Sequence, residues 1–255
     1  GLICDGTGWG TDGAVWGCEV LRGDCQQFER LAHLEYRPLP GGDLTARKPY
    51  RMAYIYLLET LGEEAAAIAQ QFLPALGREE RDIMGQLWRK GQPEIQTSSC
   101  GRLFDAVAAL LGICSVNQYE GQAAMELEAR SDTKQKGHYG FGLQKPGSIW
   151  QMDVNSMWPE LLDDLQRGLP VAGIAQKFHH TLVELFFHTL SRMRDATGLN
   201  RVVLSGGVFH NQIILLQLVQ RLKSNDFLVY QPQLVPPGDG GIALGQAIIA
   251  SEVIS

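Results

Sequence analysis

The groups in this sequence that can do chemistry are two pairs of glycines and two carboxylates set beside glycines. Gly206 and Gly207 stand in LSGGVFHN, residues 204–211, and Asp239 stands in PPGDGG, residues 236–241. Each stretch follows an apolar run, residues 201–204 or 227–230, and each passes into a helical pattern. A strand that feeds glycines into a helix leaves backbone N–H groups bare at the helix mouth. Those amides donate to phosphate, and the helix dipole favours negative charge there. One Gly-Gly turn would be only a turn. Two of them close in sequence point to a nucleotide site at the edge of a parallel sheet. Asp5 adds a third element, since residues 2–4 read as a short buried strand, 5–10 as a glycine-rich turn and 14–21 as the returning strand of a hairpin. By itself Asp5 also reads as the cap of a hairpin loop.

Regular elements must bring these groups together. Residues 50–61, 63–72 and 78–90 repeat apolar side chains at three- and four-residue spacing between Gly or Pro, which predicts three helices. A further helix starts after Ser98 and Ser99 and stops at Gly112, with Leu103, Phe104, Val107, Leu110 and Leu111 on one face. Asp105 lies beside that stripe, where it faces either solvent or a cleft. The next helix, from Gly121, carries Glu126, which alone reads as a solvated side chain. Residues 129–158 alternate as short strands, and 159–196 read as helical, with Ile174, Phe178, Leu182, Leu185, Phe186, Leu190 and Met193 in one stripe. His179 and His180 point about 100° apart on that helix, too far for one metal, and read as structural.

The chain has 255 residues, 45% of them apolar, with a net charge of −6. That composition suffices for one large or two small cores. Lys and Arg are scattered, so no polybasic face marks nucleic acid as a partner. No apolar run approaches the roughly 20 residues that span a membrane, and no signal segment opens the chain. Five cysteines, an odd number without a C-x-x-C pair, read as reduced thiols of a cytoplasmic protein with no structural zinc of its own. Cys100 is a candidate nucleophile beside the plainer reading of a buried thiol.

Taken in order, DGTGWGTDG, PLPGGDLTARKPYRMA, SSCGRLFDAVAALLG, YEGQAAMELE, LSGGVFHN and PPGDGGIALGQA resemble one family, the HypF carbamoyltransferases of NiFe hydrogenase maturation, in their C-terminal catalytic domain. The likeness runs from Asp5 to Ala247. It implies an α/β fold of the actin-like ATPase kind, duplicated from ribonuclease-H-like halves. Residues 1–48 with 240–255 would belong to the first half, 49–96 to a helical insertion, and 97–239 to the second half. The resemblance implies ATP and carbamoyl-adenylate as ligands. Asp5 and Asp239 would be catalytic carboxylates on a divalent metal (iron, zinc or magnesium). Asp105 and Glu126 would receive the ribose, and Gly121, Gly206, Gly207 and Asn211 the adenosine and phosphates. Arg102 reads as an ordinary salt-bridge partner or as a group that orients the carbamoyl.

The family carries a histidine motif just before the Asp5 strand, and none of the six histidines here stands in it. Two carboxylates without those imidazoles suit a transition metal poorly. The chain opens on Gly1 and not Met, so it is expected to be a piece of a longer enzyme, weak in metal binding and inactive alone. Acylphosphatase-like, zinc-finger and YrdC-like domains would precede it. The resemblance implies that carbamoyl phosphate and ATP yield carbamoyl-adenylate in the YrdC-like domain. The domain resembling this chain would then pass the carbamoyl group to the C-terminal cysteine thiol of a HypE-like partner. Two rivals stand beside it: an O-carbamoyltransferase of the same fold acting on a sugar hydroxyl, and a docking module without chemistry. Asp5, Asp105, Asp239 and the glycines together speak against the docking module.

Overall fold

Strand β1 (Leu2–Trp9) pairs antiparallel with β2 (Val15–Gly23), and β2 with β3 (Phe28–Leu34), in the computed structural model, which describes residues 1–91 and 95–254. Residues 92–94 of the expected insertion, and Ser255, lie outside the described residues. β1 does not stop at Cys4. It runs through its glycines to Trp9 with a register shift between Cys4 and Gly8, and the turn falls at residues 10–14. Close approach explains the difference, because a Cβ at Gly8 would stand 3.0 Å from the Trp16 carbonyl oxygen. Glycine there lets the two strands stay paired.

A short strand β4 (Arg37–Pro38) leads into α1 (Asp43–Arg47), α2 (Tyr50–Leu61), α3 (Ala65–Phe72) and α4 (Arg78–Arg89), and β5 (Gln96–Thr97) returns to pair with β4 and β2. These helices stand where the apolar spacing puts them, with residues 62–64 taken by a 3-10 turn. α2 is more central than an insertion beside the core. Met52, Ala53, Tyr54, Ile55, Tyr56, Leu57 and Leu58 are all buried. α2 packs against α5 (Cys100–Leu110), which in turn covers β1. Each large apolar side chain so buried stabilises the fold by about 1.5–3 kcal/mol.

Then follow α6 (Gln122–Ala129), β6 (Gly142–Gln144), β7 (Trp150–Asp153), α7 (Met157–Gln166) and α8 (Val171–Thr197). The expected helical stretch over 159–196 is thus two helices. Gly168 at φ 73° turns the chain, and Pro170, the residue before α8, has no N–H to continue a ladder. Tyr56 of α2 stacks on Trp158 of α7 with centroids 4.8 Å apart. The chain closes with β8 (Arg201–Ser205), α9 (Gln212–Lys223), β9 (Leu228–Tyr230) and α10 (Ile242–Ile254). β8 lies parallel to β1, and β9 parallel to β8 after the α9 crossover.

The strand order is β6-β7-β3-β2-β1-β8-β9, with β4 and β5 on a side branch. Strands from residues 1–48 and from 97–239 therefore share one sheet, and the chain does not part at the expected boundary between halves. The physical reason is the continuous backbone ladder from β3 through β1 to β8. α10 stands apart from that core and rests chiefly on the turn that leads into it. Its Ile242, Leu244, Ile248 and Ile249 are 54%, 50%, 47% and 51% exposed.

Candidate nucleotide and metal site

A cleft of about 550 Å³ opens where β1, β8, α5, α6 and the turn before α10 converge. Its floor is built by glycine. Gly206 has φ 103°, and a Cβ there would stand 2.1 Å from the Cys4 carbonyl oxygen. A Cβ at Gly207 would stand 3.0 Å from Asp5 Oδ1. A Cβ at Gly101 would stand 2.8 Å from Gly6 Cα. Only glycine lets the end of β8, the bulged part of β1 and the mouth of α5 meet this closely. Ser99 locks the meeting, since its hydroxyl lies 2.7 Å from the Gly6 carbonyl oxygen and also accepts from Arg102 N–H at 3.1 Å as the helix cap. Gly206 N–H and the Ser205 hydroxyl both donate to the Pro237 carbonyl, at 2.7 and 2.8 Å. That tie brings Asp239 to the same cleft as Asp5.

Asp105 is 2% exposed and lines the cleft from α5. Asn117 donates to its Oδ1 at 3.1 Å. Arg102 Nε lies 2.9 Å from its Oδ2, but off the line of the N–H, so neither atom has a hydrogen-bond partner in the chain. Burial pushes this carboxyl up to about 6, against the pull of the Arg102 guanidinium and the Asn117 amide. A buried carboxylate at a cleft wall is costly unless its hydrogen-bonding capacity is filled, and a ligand donor can fill it. Arg102 is thus the ion-pair partner of Asp105, and it also lines the cleft.

Of the residues expected from the sequence, the cleft brings together Asp5, Asp105, Gly121, Gly207, Asn211 and Asp239. Gly206 is buried beneath Gly207 and does not line it. Glu126 accepts from Gln122 at 2.7 Å and is not among the residues lining the cleft. The helix period gives the reason, because Gly121, Ala124, Met125 and Glu128 share the cleft face while Glu126 is about 100° round from Met125. The acids that α6 and its lead-in do offer are Glu128 and Glu120. Glu128 also accepts from Gln212 N–H at 2.7 Å, tying α6 to the start of α9. Its phase relative to Gly121 was visible in the sequence. His210 lines the cleft without any sequence signal to single it out.

Two carboxylates, Asp5 and Asp239, fit a divalent cation in part. They are hard oxygen donors of the kind magnesium accepts together with its waters. Among the described residues no group of three or more His, Cys, Asp or Glu is placed to hold a metal. Cys100 is fully buried, as are Cys4 and Cys18, whose sulfurs lie 3.6 Å apart. Hydrogen bonds from Cys18 and Cys4 pull the Cys100 thiol down, yet no substrate can reach it without opening the core. All five cysteines are free. No helix among the described residues is long and apolar enough to cross a membrane.

The chain resembles known proteins along its whole length. Residues 1–246 match the family model of the carbamoyltransferase Kae1-like domain, second subdomain. Carbamoyltransferase HypF of Rhizobium leguminosarum bv. viciae is 37% identical over 257 residues, covering 100% of this chain and 32% of that protein. Carbamoyltransferase HypF2 of Cupriavidus necator is 36% identical, covering 98% of this chain and 33% of its own length. A crystal structure of full-length HypF in the phosphate- and nucleotide-bound form superposes with a TM-score of 0.91 at 38% identity, over 100% of this chain and 33% of that one. The chain therefore spans about a third of the length of these relatives. The chain belongs to the HypF carbamoyltransferase family, and it matches the second subdomain of the Kae1-like domain.

Proposed function

We propose that this subdomain supplies the nucleotide half of a carbamoyl-transfer site. In this reading a carbamoyl-adenylate, made elsewhere in the protein from carbamoyl phosphate and ATP, lies in the cleft. Its carbamoyl group passes to the C-terminal cysteine thiol of a HypE-like acceptor in the synthesis of the cyanide ligands of NiFe hydrogenase. The observation that carries the reading is buried Asp105, which lines a cleft floored by Gly207 and whose Oδ2, beside its ion pair with Arg102, has no hydrogen-bond partner in the chain. A ribose hydroxyl is a donor of the right kind for that oxygen, and a HypF relative was solved with phosphate and nucleotide.

The roles follow from chemistry. Asp105 accepts from the ribose hydroxyls. The amides at Gly207 donate to the phosphate, which gains charge as AMP departs. Asp5 and Asp239 would hold a divalent cation, which would supply polarisation of the phosphate or carbamoyl oxygen. In the transfer a thiolate sulfur from the acceptor attacks the carbamoyl carbon and the new C–S bond forms. The bond from that carbon to the phosphate oxygen breaks, and AMP leaves with the electron pair. The thiol proton has already gone to solvent. This chain needs no nucleophile of its own, in keeping with the burial of Cys100.

The test is mass spectrometry of the acceptor protein after incubation with the full-length parent, ATP and carbamoyl phosphate. One added carbamoyl group on the terminal cysteine, lost with Asp239→Ala, supports the reading. No gain, with an active control enzyme alongside, contradicts it and makes a sugar hydroxyl the next acceptor to try.

A further inference from the structure

His179 is fully buried in α8, away from solvent, yet it reaches the cleft through one side chain. Asn211 Nδ2 lies 2.9 Å from His179 Nε2, and Asn211 lines the cleft. The orientation of this pair is forced by its surroundings. Ile214 N–H at the start of α9 lies 3.0 Å from Asn211 Oδ1, and an N–H can only donate, so the amide oxygen must face it. The amide nitrogen then faces His179 Nε2 and donates to it. Nε2 must carry the lone pair, which places the ring proton on Nδ1. That proton has acceptors: the Ala175 carbonyl at 2.8 Å and, more weakly, the Ser131 hydroxyl oxygen at 3.3 Å, whose own hydrogen goes to Leu127 O. Phe104 and Phe178 close on the ring edge-on, each with its centroid 5.6 Å away. Burial favours the neutral imidazole, pushing its pKa down to about 4.

We propose that His179 is a positioning residue that fixes the Asn211 amide so that its second N–H is offered to the cleft ligand. The site then reads a hydrogen-bond acceptor, an oxygen or ring nitrogen of the nucleotide, at this point. The inference rests on the nucleotide reading above. Without His179 the Asn211 amide keeps its helix cap but loses the partner that holds its rotamer, so the cleft N–H is no longer fixed in place.

The experiment measures AMP affinity by calorimetry in the full-length protein. His179→Phe keeps a ring in the aromatic nest and removes the acceptor. We expect AMP affinity to weaken about tenfold, as for one hydrogen bond. His179→Gln, which restores an acceptor oxygen, should recover most of the loss. A folded His179→Phe that binds AMP as wild type does, or a loss that His179→Gln does not recover, overturns the inference. If His179→Phe does not fold, the nitrogen chemical shifts of His179 in the wild-type chain decide. A proton on Nδ1 with bare Nε2 supports the inference, and a proton on Nε2 overturns it. Wild type that fails to bind AMP sinks the nucleotide reading and this inference with it, whereas wild-type binding without a His179 effect sinks this inference alone.

Discussion

Replacing Asp105 by Asn should stabilise the chain while disabling its cleft, and the gain should depend on pH in a defined way. The folded carboxyl titrates at about 6, raised from 3.8 chiefly by burial. The folded chain holds this proton more tightly than the unfolded chain, so Asp105 lowers stability as pH rises through this interval and keeps it lower above. Asn cannot ionise. Its advantage is therefore on the order of 3 kcal/mol near pH 7.5, roughly half of that near pH 5, and close to nil below about pH 4. The folded value of about 6 already contains the pull of Arg102, which acts only when Asp105 is ionised, so losing that ion pair in Asn is not a separate cost. His33 and His179, both pushed down to about 4 by burial, occur in both proteins and cancel in the comparison. Urea denaturation of both proteins at the two pH values should show the difference in stability growing by about 1.5 kcal/mol from pH 5 to 7.5. A difference that stays flat or shrinks with rising pH would refute the claim that burial outweighs Arg102 at this carboxylate.

Gly206→Ala should destabilise by more than about 3 kcal/mol, because a left-handed φ and a clash with the Cys4 carbonyl act together; a thermal melt within a degree or two of wild type would contradict this. Glu128→Ala should cost about 1 kcal/mol through loss of its bond to Gln212 N–H and should weaken nucleotide binding. Glu126→Ala should leave nucleotide affinity at the wild-type value, and calorimetry on the two variants separates them. Ile248→Glu on α10 should change the stability of this chain by less than about 0.5 kcal/mol, since the side chain is 47% exposed; a larger loss in urea would show that α10 packs more closely than described.

The glycines were legible in the sequence because backbone approach leaves no substitute for them: Gly206 and Gly207 follow an apolar run and precede a helical pattern, and that grammar is local. Asp105 was legible as a choice between solvent and cleft, and only packing of α2 on α5 decides it. Glu126 was hard to choose because α6 carries two acids, Glu126 and Glu128, with Glu120 just before it, and the phase of a helix is set by what it packs against. The hairpin turn was expected five residues early, since a glycine-rich stretch reads as a turn when the partner strand that needs the glycines is unknown. The break between α7 and α8 was written in Gly168 and Pro170, but a continuous apolar stripe beyond them masked it. The His179–Asn211 lock joins residues 32 apart and has no local signature at all.

A crystal structure of this chain soaked with AMP tests the account most directly. The account predicts a ribose hydroxyl within hydrogen-bond distance of Asp105 Oδ2, the phosphate on the amides at Gly207, and the Asn211 amide nitrogen facing the ligand. AMP bound elsewhere, or a cleft that stays empty at saturating nucleotide, would contradict it.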